Sequence, residues 1–175
     1  MELKRAETHE IDAIMDMYKR AIKHMLANGI DQWDETYPSR EGMVIDLEDK
    51  EFYWFLNDDR RPVGGVVLNE YQEEAWDPEA WTCADDRPLC VHRLVIDPQY
   101  QGQGHAVRFM EAIDQHARNN GCKSIRLDTY TGNPIAFRLY PRCGYAQRGA
   151  FSTEFRPLPY ALFEKVLESE PLTYK

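Results

Sequence analysis

Apolar positions along the chain change period several times, and each change marks an element. Ile11, Ile14, Met15, Tyr18, Ile22 and Met25 recur at helical spacing, which predicts an amphipathic helix that Asn28-Gly29 stops. Thr8 is placed to cap it, with Glu10 and Asp12 in the first turn. Ahead of it, Leu3 to Ala6 predicts a short strand. The segment Ile30 to Pro38 reads as a loop, and Ser39 can cap a short second helix carrying Met43, Val44 and Leu47. Phe52 to Leu56 and Val63 to Asn69 predict two strands joined by the polar turn Asn57-Asp58-Asp59-Arg60.

Glu70 to Pro88 is a long acidic connection holding Trp76 and Trp81, fit for a lid or a dimer contact. Val91 to Ile96 then predicts a buried strand, interrupted by His92 and Arg93. Ala106, Phe109, Met110, Ile113 and Ala117 mark a third helix ending near Asn120-Gly121. Ser124 to Thr129 reads as a strand, Pro134 to Arg142 as a helix and Ala146 to Phe151 as a strand. Phe155 to Lys165 closes the sheet, with Pro157 and Pro159 implying an edge or a bulge. The order β-α-α-β-β-β-α-β-α-β-β is that of a mixed α/β (α+β) domain, and 175 residues suit one such domain.

Composition narrows the classes of function. A net charge of −9 disfavours non-specific nucleic-acid binding, because the acidic excess gives no net release of counterions from phosphate. It suits a cationic small partner, and equally an acidic surface that keeps the chain soluble. Cys83, Cys90, Cys122 and Cys143 lack the close spacing of a zinc or redox pair, so no metal is expected. No apolar run approaches the ~20 residues of a membrane span, and the opening MELKRAETHE lacks the apolar core of a signal peptide. The expected home is the cytoplasm, with the cysteines as free thiols.

Between the central strand and the third helix stand Gln101, Gly102, Gln103, Gly104, His105 and Ala106. Small residues there let backbone N–H groups approach an anion, and the helix N-terminus adds a favourable dipole, a chemistry suited to pyrophosphate. A tight strand-to-helix turn with no ligand is the plainer reading of the same glycines. A Rossmann dinucleotide site is a further alternative, with Asp128 near the end of the next strand. Val107, however, stands where that fingerprint needs its third glycine, and too little chain follows for a doubly wound sheet.

A second motif follows in order: Asn133-x-x-Ala136-x-x-Leu139-Tyr140-x-x-x-Gly144-Tyr145. Together with Gln101-x-x-Gly104-x-Ala106 it resembles the GCN5-related N-acetyltransferase (GNAT) superfamily, and the element order extends the resemblance over nearly the whole chain. The resemblance implies a mostly antiparallel sheet of six to seven strands flanked by about four helices, across residues 1–175. It implies acetyl-CoA as co-substrate and an amine as acceptor, with no nucleic acid or membrane as partner, and leaves a homodimer open. It further implies that the backbone of Leu94, Val95 and Ile96 pairs with the pantetheine arm like an added strand. The amides from Gln101 through Gly102, Gln103, Gly104 and His105 to Ala106 would cradle the pyrophosphate. Asn133 would bond the arm, Ala136 would let it pass, and Tyr140 would protonate the departing thiolate. Each has a plainer reading: Tyr140 as a packed helix tyrosine, and Asn133 as the cap of a helix opened by Pro134. A GNAT-fold module that binds acyl-CoA without turnover is the alternative function.

The amine must be neutral when it attacks, so a proton acceptor is needed. His92 is the leading candidate, on the expectation that it shares a strand face with Leu94 and Ile96. A histidine satisfied by bonds within the sheet is the equal alternative. In this superfamily the acceptor pocket is built from the loop after the first helix and from the late hairpin, which hold Trp33 and Tyr37, and Glu154, respectively. Aromatics with carboxylates can hold a cationic amine. The same loop residues could instead be solvated around one buried tryptophan.

Overall fold

The structure, a computed structural model, describes residues 1–84 and 87–167; two acids of the 70–88 connection lie outside that range. Seven strands and four α-helices are described: β1 (Glu2–Arg5), α1 (Ile11–Ala27), α2 (Arg40–Glu48), β2 (Phe52–Leu56), β3 (Pro62–Asn69), β4 (Leu89–Ile96), α3 (His105–Asn119), β5 (Ser124–Tyr130), α4 (Pro134–Arg142), β6 (Ala146–Phe151) and β7 (Tyr160–Val166). The order across the sheet is β1-β2-β3-β4-β5-β7-β6, and every pair is antiparallel except β4 with β5. That single parallel pair disposes of the Rossmann alternative, which needs a sheet of parallel strands.

The predicted periods account for the layers. Ile14, Met17, Tyr18 and Ala21 of α1 turn inward and pack with Met43 and Leu47 of α2 on one face of the sheet. Phe109, Met110, Ile113 and Ala117 of α3, with Tyr140 of α4, cover the other face. Strand alternation divides the sheet between them: Phe52 and Trp54 face α1, whereas Tyr53 and Phe55 face α3. Ser39 caps α2, its Oγ accepting from Gly42 N–H at 3.1 Å.

Several boundaries differ from expectation. Thr8 does not cap α1. A 3₁₀ turn over Thr8–Glu10 leads into the helix, and the Glu10 carboxylate accepts from Glu7 N–H at 2.8 Å and from Trp54 Nε1 at 3.2 Å. The central strand begins at Leu89, two residues early. The closing strand begins only at Tyr160, because Pro157 and Pro159 cannot donate to a ladder. It is interior rather than an edge, and β6 takes the edge.

The Trp76–Trp81 connection is fastened to the sheet. Trp76 packs with Cys90 and Leu162. The Glu164 carboxylate, 1% exposed, accepts from Thr82 N–H (3.0 Å), Thr82 Oγ1 (2.7 Å), Cys83 N–H (3.2 Å) and Arg148 Nε (3.1 Å). Arg126 spans the same layer, donating to Gln72 Oε1 and the Cys83 carbonyl beneath the Trp81 ring. Removing one member of a buried charge network leaves the others desolvated and unpaired. Glu164→Ala should therefore cost about 3–5 kcal/mol in denaturant unfolding, with faster proteolysis within 70–84; Phe151→Ala, at a half-buried site outside the network, should cost less.

Candidate active site

β4 contains one residue too many for its partner. Gly65 and Val67 of β3 pair with Val95 and His92, so two steps on β3 match three on β4. The surplus is absorbed at Arg93, whose φ of 55° is left-handed. A non-glycine residue pays roughly 1–3 kcal/mol for such a conformation, so surrounding contacts must impose it. Tyr18 Oη donates to the Arg93 carbonyl at 2.5 Å. The Arg93 guanidinium forms an ion pair with Asp46, its Nε donates to Tyr37 Oη at 3.2 Å, and it lies over the Tyr37 ring.

The bulge has two consequences. It reverses the facing of the strand: Leu89 and Val91 point to α3 before it, and Leu94 and Ile96 point there after it. His92 stands before the bulge and lies with Trp76 on the opposite face, so it does not share a face with Leu94 and Ile96. β4 also parts from β5. Their pairing ends at Val91 opposite Leu127, while β4 continues along β3 to Ile96 and β5 continues along β7 to Tyr130. Between the diverging halves, among the described residues, no strand pairs with Leu94, Val95 and Ile96 on the β5 side. Such an edge can accept an extended ligand as an added strand.

At the α3 end of the split, the turn is rigidly held. Asp97, buried, accepts from Gln99 N–H at 3.1 Å and from Arg20 Nη2 at 2.5 Å, which ties α1 to the turn. Gln101 Nε2 donates to the Ile96 carbonyl at 3.0 Å. Gly102 and Gly104 have φ of 76° and 79°, and a Cβ on either would meet nothing, so backbone conformation rather than space requires glycine. The first amide to find a helical carbonyl is that of Arg108, bonded to Gly104, which leaves the amides from Gly102 to Ala106 available. No acid stands in the first turn of α3, and His105 Nδ1 is buried without a partner among the described residues. These free donors, at a helix start with no acid in its own first turn, fit a pyrophosphate.

On the far lip, Asn133 Oδ1 accepts from Ala136 N–H at 3.1 Å and so caps α4 behind Pro134. Its Nδ2 donates to Gln32 Oε1 at 2.8 Å. Tyr140 is buried between Phe163 and Tyr145. Burial, reinforced by the Asp128 charge, pushes its hydroxyl well up, so it holds a proton at neutral pH.

The face opposite α3 carries a polar cluster at the crotch of the split. In the parallel register His92 falls across from Asp128, one step beyond the last pair. Trp76 joins them: its ring stacks on His92 (5.8 Å, 10°) and its Nε1 donates to Asp128 Oδ2 at 2.7 Å. His92 Nε2 lies 3.0 Å from the Tyr71 carbonyl, which can only accept, so that nitrogen carries the hydrogen. Nδ1 is 3.7 Å from Glu73 Oε1. Burial, with the Arg93 charge adding to it, lowers the His92 pKa to about 4, so the ring is neutral and weakly basic. Burial moves Asp128 the other way, up to about 6, against the indole bond and with the Glu73 charge adding.

The remaining expected residues separate. Trp33 is a core residue packed on Tyr18 at 5.5 Å, the buried tryptophan that anchors its loop, and does not line the split. Tyr37, 43% exposed, stands near the cluster through Arg93. Glu154 is exposed in the turn before β7. Asp34 instead ties that turn to the first loop, accepting from Arg156 Nη2 at 2.6 Å. Asp128, Trp76 and Glu73 were not expected in the site. The one acid of β5, near its end, was the available signal for Asp128. Nothing local marks the two loop residues.

A sequence profile of the acetyltransferase (GNAT) family matches residues 13–145, and the chain belongs to that family. It is 33% identical over 84 residues to the spermine/spermidine N(1)-acetyltransferase of Bacillus subtilis, covering 47% of this chain and 49% of that one. The chain thus spans about half the length of that curated relative. A GNAT-family acetyltransferase from Streptococcus agalactiae superposes with a TM-score of 0.81 at 22% identity, covering 96% of each chain. A Salmonella typhimurium structure with its cofactor acetyl-CoA gives 0.68 at 14% identity, covering 98% of this chain and 96% of that one. Among the described residues, no group of His, Cys, Asp and Glu could hold a metal ion, and no helix is long and apolar enough to cross a membrane.

The raised Asp128 pKa has a consequence for stability. The folded carboxyl holds its proton more tightly than an unfolded one, so ionisation costs folding free energy, and the full cost applies above about pH 6. Asp128→Asn should unfold at a higher temperature than the wild type at pH 8. The gain should shrink as pH falls through 6 and vanish near pH 4, as read by thermal denaturation across that range.

Proposed function

We propose that the chain is an acetyl-CoA-dependent N-acetyltransferase acting on a small cationic amine. One observation carries the reading. A single split between β4 and β5 has free amides at its α3 end and a carboxylate–aromatic cluster at its crotch. An anionic cofactor and a cationic acceptor can therefore meet across one gap.

The amides from Gly102 to Ala106 bind the pyrophosphate, with His105 Nδ1 as a further polar contact. The backbone of Leu94, Val95 and Ile96 holds the pantetheine arm, which passes Ala136 and bonds Asn133. Bound acetyl-CoA supplies an acetyl group activated as a thioester. Tyr140, protonated by virtue of its burial, gives a proton to the sulfur as the C–S bond breaks. Trp76, Tyr37 and the carboxylates of Glu73 and Asp128 favour a cation on the acceptor side. The Bacillus relative, named for spermine and spermidine, supports an acceptor of that polyamine kind.

The test is CoA release with spermidine, spermine, monoamines and N-terminal peptides as acceptors. Spermidine or spermine should give the highest kcat/KM, and Tyr140→Phe should cut kcat roughly 10²- to 10⁴-fold while keeping its thermal shift with acetyl-CoA. Acetyl-CoA binding without CoA release on any amine would overturn the reading in favour of a binding module.

A further inference from the structure

We infer that Asp128, held by the Trp76 indole, takes the proton from the acceptor ammonium, and that His92 serves only to position that indole. The inference rests on the acetyltransferase reading above and assigns its missing proton acceptor.

Geometry separates the two candidates. Asp128 stands on the β5 lip directly beyond the last β4–β5 pair, where the two strands begin to diverge. Its Oδ2 is occupied by Trp76 Nε1 at 2.7 Å, while Oδ1 accepts no bond from the protein among the described residues. The residue as a whole is half-buried rather than sealed in the core. Tyr140, on the other side of β5, is close enough for the Asp128 charge to act on its hydroxyl. The proposed acid and proton acceptor therefore flank one strand end. His92 is committed elsewhere: its Nε2–H is spent on the Tyr71 carbonyl and its ring face on Trp76. That stacking fixes the indole, and the indole fixes the carboxylate.

Charge favours the same assignment. The ionisable groups around Asp128 are Glu73 from the loop, His92 from β4, Tyr37 from the first loop with Arg93 behind it, Tyr140 from α4 and Tyr160 from β7. His92 is neutral, the tyrosines hold their protons, and Arg93 is already paired with Asp46. A cation entering the cluster thus meets Asp128 and Glu73 as its counter-charges. A carboxyl moved up to about 6 is also closer to the pH of turnover, where a proton acceptor works best, than a ring moved down to about 4.

The step balances without any further reactant. Asp128 takes one proton from the ammonium, and the freed lone pair forms the C–N bond to the acetyl carbon. The C–S electron pair leaves on sulfur, which is protonated from Tyr140. The second amine proton restores the Tyr140 hydroxyl, and Asp128 releases its proton to water.

The experiment is the pH profile of kcat/KM with spermidine and acetyl-CoA. The wild type should show an acidic limb, its rate rising with pH through about 6, because protonated Asp128 cannot accept. Asp128→Asn should lose the limb and roughly 10²- to 10⁴-fold in kcat, with its acetyl-CoA thermal shift intact. Trp76→Phe removes a bond that favours the carboxylate, and should move the limb to higher pH. His92→Gln should keep a limb, also displaced upward. If Asp128→Asn keeps the limb and the rate, or if His92→Gln alone abolishes it, the assignment to Asp128 falls while the acetyltransferase reading stands. If the wild type releases no CoA with any amine, both fall.

Discussion

The surplus residue in β4 is the constraint on which the site depends. Without it, β4 and β5 could continue their parallel ladder past Val91 and close the sheet. With it, the ladder stops, and the backbone from Leu94 to Ile96 is left without a strand partner on that side, beside the Gly102–Ala106 turn. A left-handed arginine is an expensive way to make a bulge, and the expense is met by contacts from separate elements. Tyr18 of α1 holds the carbonyl, Asp46 of α2 holds the guanidinium, and Tyr37 holds Nε. The helices that cover this face of the sheet therefore also keep the split open. Tyr18 and Asp46 belong to the site's scaffold although neither faces the gap.

Charge is partitioned along the split. At one end the turn from Gly102 to Ala106 offers, among the described residues, unpaired amides at a helix N-terminus whose first turn carries no acid. At the other, burial raises the pKa of Asp128 and Glu73, and His92 is kept neutral. The network around Glu164 makes this possible, because it holds the connection that carries Glu73 and Trp76 against the sheet. The described part of the connection, 70–84, is thus fastened to the sheet beside the cluster.

Much of this was legible in the sequence, and the limits have physical causes. The apolar periods of α1 and α3 located both helices, because burial on one side of a helix leaves a local pattern, and in α3 they located the buried face. In α1 Ile14 and Tyr18 are buried as expected, Met17 and Ala21 join them, and Ile11, Met15, Ile22 and Met25 are half-buried. The Gln101–Ala106 and Asn133–Tyr145 segments could be read because their demands are local: left-handed glycines, a cap and a small residue. The facing of His92 could not be read. Alternation along β4 fails at Arg93, and a bulge is created by partners on α1 and α2 that no local pattern records. Trp33 left two readings open, pocket or anchor, because an aromatic in a polar loop looks the same in either role; its burial fits the anchor. Asp128 was passed over because its importance comes from Trp76, far away in sequence and brought over by the Glu164 network.

The central claim is that the parting of β4 from β5 receives acetyl-CoA along one strand edge and one turn. Amide hydrogen exchange with and without acetyl-CoA tests it directly. Exchange should slow at the amides within Leu94–Ile96 and Gly102–Ala106 on addition of acetyl-CoA, with little change along β6. Unchanged exchange in both segments under conditions where acetyl-CoA binds, or protection confined to another strand edge, would contradict it.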